Sequence, residues 1–341
     1  MDSINLEVLK NCAEWISVGR SCELITVIKT WGSSPRPEGA MLAICEDGTV
    51  VGSVSGGCIE DDLICRVRKE GITRTRPEIV TYGITADEAH RFGLPCGGTI
   101  QLAIEPLSHG SRIAELLQRL LKNELLARRL DLATGVVTLG PASPGMNLQV
   151  SATAMTTIHG PRWRLLIIGA GQLSSFLAQI ATGMDYHVTV CDPRDEYRDA
   201  WPVPEVDVVH AMPDDFAIDA KLDSHTAVIA LTHDPKLDDL ALMEALRSDA
   251  FYVGAIGSRN NNAKRRERLK LFDVSEAQLE KLHGPIGMYI GSKTPAEIAI
   301  SILAEMTAVK NGIPLLDEAR IENAKCARHQ QQSENLCGNP S

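Results

Sequence analysis

The 341-residue sequence predicts an α/β protein in two parts: an N-terminal α+β domain, then a doubly wound domain on a parallel sheet. Three observations predict it. Short apolar strands separated by turn residues recur between Cys22 and Glu105. From Trp163 onward, apolar strands alternate with helical stretches, the pattern of a parallel sheet covered by helices. The strand Arg164 to Ile168 runs straight into Gly169-Ala-Gly171, and a helical stretch follows.

Composition narrows the function classes. A net charge of −10 argues against nucleic-acid binding, which needs a basic face. No apolar run reaches the roughly 18 residues of a membrane span. Nine scattered Cys, without C-x-x-C spacing, give neither a zinc pattern nor an even disulfide set. With an acidic amphipathic N-terminus in place of a signal peptide, they point to reduced thiols in the cytoplasm.

In chain order, residues 4–18 read as a helix with apolar Ile4, Val8, Leu9, Cys12, Trp15 and Ile16 near helical spacing. Cys22 to Lys29 is a strand. The loop from Thr30 to Gly39 follows, and its two prolines stiffen the backbone around Arg36, a candidate phosphate ligand or an ordinary surface Arg. Ala40 to Cys45 and Val50 to Val54 form a hairpin about an Asp-Gly turn. It delivers the chain to Gly52-Ser-Val-Ser-Gly-Gly-Cys-Ile-Glu60, with a helix from Cys58 to Lys69.

Ser55, Gly56 and Gly57 at that helix start offer free N–H groups to an anion. Cys58 gains thiolate character from the helix dipole, opposed by Glu60, Asp61 and Asp62 behind it. The same residues read about equally well as a tight turn with a buried Cys after it. A strand from Glu78 to Tyr82 and an irregular stretch lead to Cys96-Gly97-Gly98, a second Cys beside a glycine pair. Facing each other, Cys58 and Cys96 would be a persulfide-carrying or redox pair. Each is otherwise a small residue in a tight loop.

Thr99 to Glu105 is a strand, Ser111 to Glu124 a helix, and Leu126 to Leu139 and Leu148 to Thr157 two more strands. The boundary falls at His159-Gly-Pro161, giving domains of 1–160 and 161–316. A polar tail of 317–341 has too few apolar residues to fold.

In the second part, Gly169, Gly171 and Gln172 open a dinucleotide-type turn, G-x-G-x-x-S, with Ser174 in place of the last Gly. Asp192, at the end of the strand His187 to Cys191, is placed to bind ribose hydroxyls and to favour NAD over NADP. The domain is therefore Rossmann-like, either binding a dinucleotide or retaining the fold without one. Thr226 to Leu231 ends in Thr232-His233-Asp234, at the edge where open α/β sheets bind ligands. His233 and Asp234 suit acid–base work or ligand binding there; helix capping is the plainer role for Thr232 or Asp234. Phe251 to Ile256 leads to Arg259, a candidate anion ligand. Lys264 to Arg268 reads as a solvated helix face, and Thr294-Pro-Ala-Glu297 as a capping box on the final helix.

Taken together, SSPRPEGAM at 33–41, GSVSGGCIE at 52–60, CGG at 96–98, GAGQL at 169–173, VTVCDPRDEY at 188–197, THD at 232–234, GAIGSR at 254–259 and GPIG with IGSKTPAEIA at 284–299 resemble the XdhC/CoxI family of xanthine dehydrogenase accessory proteins. The resemblance covers roughly 5–315. Two departures are Leu94-Pro-Cys-Gly-Gly98, where the family reads LGCGG, and Gly287 to Ser292, where it reads GLDIGA and carries an acid at the position of Tyr289.

The resemblance implies a maturation factor that binds molybdopterin or molybdenum cofactor, with or without an added nucleotide. Such a factor supports sulfuration with a cysteine desulfurase, delivers the cofactor to an apo molybdenum hydroxylase, and forms a homodimer. On that reading Cys58 or Cys96 holds the metal's sulfur ligand or a persulfide, with Cys58 the metal-side residue. Arg36, Arg259 and the glycine turns hold phosphate. The alternative, from Gly169, Gly171 and Asp192, is an NAD-dependent oxidoreductase.

Overall fold

A computed structural model describes residues 3–32, 36–83, 99–122, 124–143, 146–316, 319 and 321, without the Cys58 side chain. Cys96, Gly97, Gly98 and nearly all of the tail lie outside the described residues. The chain divides into two compact units, Met1–Pro161 and Arg162–Ser341.

The N-terminal unit is built on a five-stranded antiparallel sheet. Its order is β3 (Val50–Gly52), β2 (Met41–Cys45), β1 (Cys22–Trp31), β5 (Thr99–Pro106) and β4 (Glu78–Tyr82). Alternate residues of β1 serve different cores. Ile25 and Val27 pack with Ile59 and Leu63 of α2 (Cys58–Glu70), while Leu24 packs with Leu9 of α1 (Ser3–Ser17) and Leu116 of α3 (Ile113–Leu120). Helices on both faces explain why β1 is buried over seven successive residues.

A second, four-stranded sheet runs β7 (Val137–Pro141), β6 (Leu126–Asp131), β9 (Ala154–His159), β8 (Gln149–Val150). The expected single strand from Leu126 to Leu139 is thus a hairpin. The Asp131 carboxylate accepts from Ala133 N at 3.1 Å, Thr134 N at 2.8 Å and Thr134 Oγ1 at 2.7 Å, and Gly135 turns with φ +75. This Asx-type turn reverses the chain inside an apolar run. Ser151 makes a similar turn before β9, splitting the other expected strand. The buried Arg128 on β6 forks onto Glu105 of β5 at 2.8 and 2.5 Å, joining the two sheets.

The C-terminal unit carries a six-stranded parallel sheet, β12 (Asp207–Val209), β11 (His187–Cys191), β10 (Arg164–Ile168), β13 (Thr226–Ala230), β14 (Tyr252–Ala255), β15 (Leu282–His283). Leu177 of α4 (Gln172–Gly183) and Ile302 of α10 (Pro295–Lys310) share one core with β10. Leu242 and Leu246 of α7 (Pro235–Arg247) and Leu269 of α8 (Arg259–Lys270) share the other with β13 and β14. The chain moves outward from β10 to β12, then returns to β13 on the other side of β10. That reversal opens a crevice beyond the carboxyl ends of β10 and β13.

Candidate functional site

The loop before α2 is held from within. Glu60 Oε1 accepts from Ser53 Oγ, Val54 N and Ser55 N, each at 2.8 Å, and from Gly56 N at 3.1 Å. Its Oε2 accepts from Ser55 Oγ and from Gly57 N at 2.9 Å. Four successive amides therefore point at one carboxylate of this chain. The amides expected to be free for an external anion are already committed. Sequence reasoning treated Glu60 as a helix-dipole acid, because its reach back over the loop depends on positive φ at Gly56 (+92) and Gly57 (+151).

Burial raises Glu60, but the hydrogen bonds from Ser55, Ser53 and the backbone outweigh it and bring its pKa down to about 2. It is a fixed negative charge behind Cys58, which is the first residue of α2. Arg36 Nε reaches Ser53 Oγ at 3.2 Å, so the structure brings Arg36 to this loop. Among the neighbouring acids, Asp62 accepts from Tyr82 OH at 3.1 Å. Among the described residues, no heavy atom lies within 4 Å of where a Cβ would stand on Gly56 or Gly57.

The second constellation lies on the C-terminal unit, at the crevice. Gly169 (φ +101) passes so close to the next strand that a Cβ would lie 2.9 Å from Thr232 Cγ2 and 3.1 Å from Thr232 N. Gly171 caps α4 with nothing within 4 Å of a would-be Cβ among the described residues, and Gln172 is exposed beside it. The two glycines should respond differently to Ala. Gly169→Ala should destabilise by about 1–3 kcal/mol. Gly171→Ala should leave stability within about 0.5 kcal/mol. Thermal melts of the two variants check the difference. Ser174 is buried in the packing position of the fingerprint, small enough to replace the missing Gly.

Asp192 is fully buried beside this turn and already saturated. Its Oδ2 accepts from Ala170 N and Arg194 Nη2, both at 2.8 Å. Its Oδ1 accepts from Arg194 N at 3.0 Å and Arg194 Nε at 2.8 Å. Burial raises its pKa, and Arg194 with the Ala170 amide holds it below the usual carboxylate range. The expected ribose reader is therefore paired, with its charge balanced. The Arg two residues on in the same DPR run was the available signal.

Thr232, His233 and Asp234 do reach the crevice edge, with separate tasks. The Asp234 carboxylate caps α7, accepting from Lys236 N at 2.9 Å, so the capping role weighed from sequence is the observed one. His233 is exposed on a left-handed turn, φ 62. Thr232 gives both its N (3.1 Å) and Oγ1 (2.7 Å) to Asp238 Oδ1. Arg259 begins α8, half-buried, next to the Ser258 cap.

The basic run before Arg268 is only partly a solvated face, which corrects the sequence expectation. Arg265 is 4% exposed and binds Asp238 Oδ2 at 3.0 Å, Asp239 Oδ1 at 3.2 Å, Asn262 Oδ1 at 2.7 Å and the Ile256 carbonyl at 2.9 Å. Through Asp238 it ties the loop after β13 to the loop after β14. One basic side chain turned inward is invisible in a run of four basic residues and one acid. Glu305 was missed for a similar reason. Buried on α10, it accepts from Tyr252 OH and Gly287 N, both at 2.6 Å, and pairs with His283 Nδ1 at 3.0 Å. Burial raises its pKa, and these three partners hold it below the usual range.

With the geometry in place, comparison with known proteins is decisive. Residues 165–306 match the model of the XdhC Rossmann domain, and residues 15–83 match that of the XdhC and CoxI family. The chain belongs to the XdhC/CoxI family. The N-terminal match contains the Glu60 loop, and the C-terminal match runs from β10 to just past Glu305.

The family member PaoD of Escherichia coli K12, a molybdenum cofactor insertion chaperone, is 27% identical over 307 residues, covering 89% of this chain and 88% of its own. A protein of Bacillus subtilis 168, described as a probable xanthine dehydrogenase component, is 23% identical over 319 residues, covering 86% and 94%. A crystal structure described as a xanthine dehydrogenase from Bacillus halodurans has a TM-score of 0.70 at 26% identity, covering 92% and 96%.

Among the described residues, no cluster of three or more His, Cys, Asp or Glu is arranged to hold a metal ion. Among them, too, no helix is long and apolar enough to cross a membrane.

Proposed function

We propose that this chain is a maturation chaperone that binds molybdenum cofactor and delivers it to an apo molybdenum hydroxylase of the xanthine dehydrogenase type. The relationship to PaoD, running along nearly the whole of both chains, carries the reading. The locked loop before α2 supports it. A loop tied by Glu60 presents residue 58 at one place, and a cysteine there is a soft donor suited to molybdenum and sulfur chemistry. When bound, the molybdenum supplies a centre that accepts a terminal sulfur ligand.

Under this reading Cys58 contacts that centre or carries a persulfide, with Cys96 of the Cys96-Gly97-Gly98 run as its sulfur partner. Within the N-terminal unit Arg36, beside the Glu60 loop, is the residue for an anionic group, and within the C-terminal unit Arg259 and the turn at Gly171 and Gln172 are the residues for one. Ser55 and Asp234 act indirectly, by shaping their loops. His233 holds or moves a proton at the crevice edge. A cysteine desulfurase supplies the sulfur, and the working form is a homodimer. The alternative of an NAD-dependent oxidoreductase is weakened by Asp192, whose four acceptor positions are filled.

The test is pterin fluorescence after oxidation, with molybdenum analysis, on protein made in a cofactor-competent host. Bound pterin and molybdenum are expected, and Cys58→Ala should retain the pterin while losing client activation. Absence of pterin in the isolated protein, with no uptake when cofactor is supplied, would falsify the proposal.

A further inference from the structure

The geometry at the end of β11 points to a nucleotide site that reads a phosphate on the ribose, the NADP(H) class of ligand, with Arg194 as the reading residue. Asp192 cannot serve a ribose diol as it stands. A carboxylate has about four acceptor positions. Those of Asp192 are filled by Ala170 N, Arg194 N, Arg194 Nε and Arg194 Nη2, all within 3.0 Å, in a fully buried side chain. A diol would have to displace a two-pronged ion pair with no charge of its own to offer.

Arg194 is the group that faces outward. Its side chain is 27% exposed, and its guanidinium carbon lies 3.9 Å from the centroid of the Tyr197 ring. One edge is spent on Asp192. Nη1, and the second hydrogen of Nη2, have no partner among the described residues. Held by the fork on one edge and by the ring on one face, the guanidinium is fixed in direction before any ligand arrives. An Arg in this place, past the second strand of a dinucleotide-type fold, is where a ribose 2′-phosphate is accommodated.

The surrounding charges permit it. Asp192 is neutralised by Arg194 itself, so the repulsion expected of an acid here is cancelled. Asp195 is drawn toward Arg198 at 3.2 Å and His210 Nε2 at 3.5 Å. His210, whose Nε2 also lies 2.7 Å from the Pro193 carbonyl, borders the same loop from the end of β12. Glu196 and Asp199 are exposed and screened by salt.

This site goes beyond the chaperone proposal, and its test reads a different ligand. Calorimetry on the full chain compares NADP+ with NAD+, and 2′,5′-ADP with 5′-ADP, so that a ribose phosphate is separated from a diphosphate. NADP+ and 2′,5′-ADP should bind on the order of tenfold or more tighter than their counterparts, the value of one charged hydrogen-bonding group. Arg194→Ala should level each pair. Because that change strands the Asp192 carboxylate, Arg194→Lys is the second variant. It keeps a charge but loses the fork, and should bind NADP+ more weakly than the wild type. NAD+ or 5′-ADP binding as tightly as its phosphorylated counterpart, no binding of any of the four at about millimolar concentration, or unchanged NADP+ affinity in Arg194→Lys overturns the inference.

Discussion

Glu60→Gln is expected to remove about 3 kcal/mol from the stability of the N-terminal unit, the free-energy equivalent of holding a carboxyl near 2 in the folded chain against an ordinary 4.5. The variant leaves the shape but replaces one acceptor oxygen by an N–H donor. That donor then faces Ser55 Oγ and Gly57 N, which both donate to Glu60 Oε2. Two donors pointing at a third cannot all be satisfied, and Glu60 is only 8% exposed, so water does little to relieve them. For a unit of this size the melting temperature should fall by on the order of 10 °C.

The wild type should carry a matching acid sensitivity. The folded pKa is depressed, so the contribution is fully present above the unfolded value of about 4.5 and is lost as pH falls through about 2. Urea titrations at neutral pH and at pH near 3 measure both effects. Equal stability of Glu60→Gln and wild type at neutral pH would remove Glu60 from its role in holding Cys58.

Arg265→Ala should be at least as damaging to the C-terminal unit, by about 3–5 kcal/mol, the cost of breaking a buried ion pair by removing one partner. Asp238 has no exposed surface, and after the change its remaining hydrogen bonds come from Thr232 alone. Burial already raises the Asp238 pKa, with Thr232 and Arg265 opposing that rise. Loss of Arg265 should raise it further. A raised carboxyl binds its proton more tightly in the folded chain, so the variant's deficit should shrink as pH falls. Adding Asp238→Asn should recover part of the loss, because a neutral amide no longer needs a cation. If Arg265→Ala and Arg265→Ala with Asp238→Asn melt together at all pH values, the pairing does not hold the two crevice loops.

The elements that could be read from the chain alone are those whose cause is local. The apolar strand Arg164–Ile168 and the Gly169-x-Gly171 turn after it placed the parallel sheet. Thr294, Pro295 and Glu297 announced α10 through its capping box. Reversals inside apolar runs were less legible. The turn at Asp131 rests on one side chain accepting three bonds, while the residues around it keep strand character.

The same division runs through the candidate sites. Sequence alone identified the Cys58 loop, the glycine turn, the Thr232-His233-Asp234 edge and, by resemblance, the family, since each is a contiguous string. What those strings do with their polar groups was decided only by the tertiary structure. Glu60 fills the amides of its own loop, Arg194 saturates Asp192, and Arg265 turns inward to hold Asp238. A carboxylate near a row of N–H groups or a guanidinium pairs with whichever partner the fold brings within 3 Å or so. Spacing along the chain names the candidates for that pairing, and only the packed backbone chooses between a ligand and a neighbour.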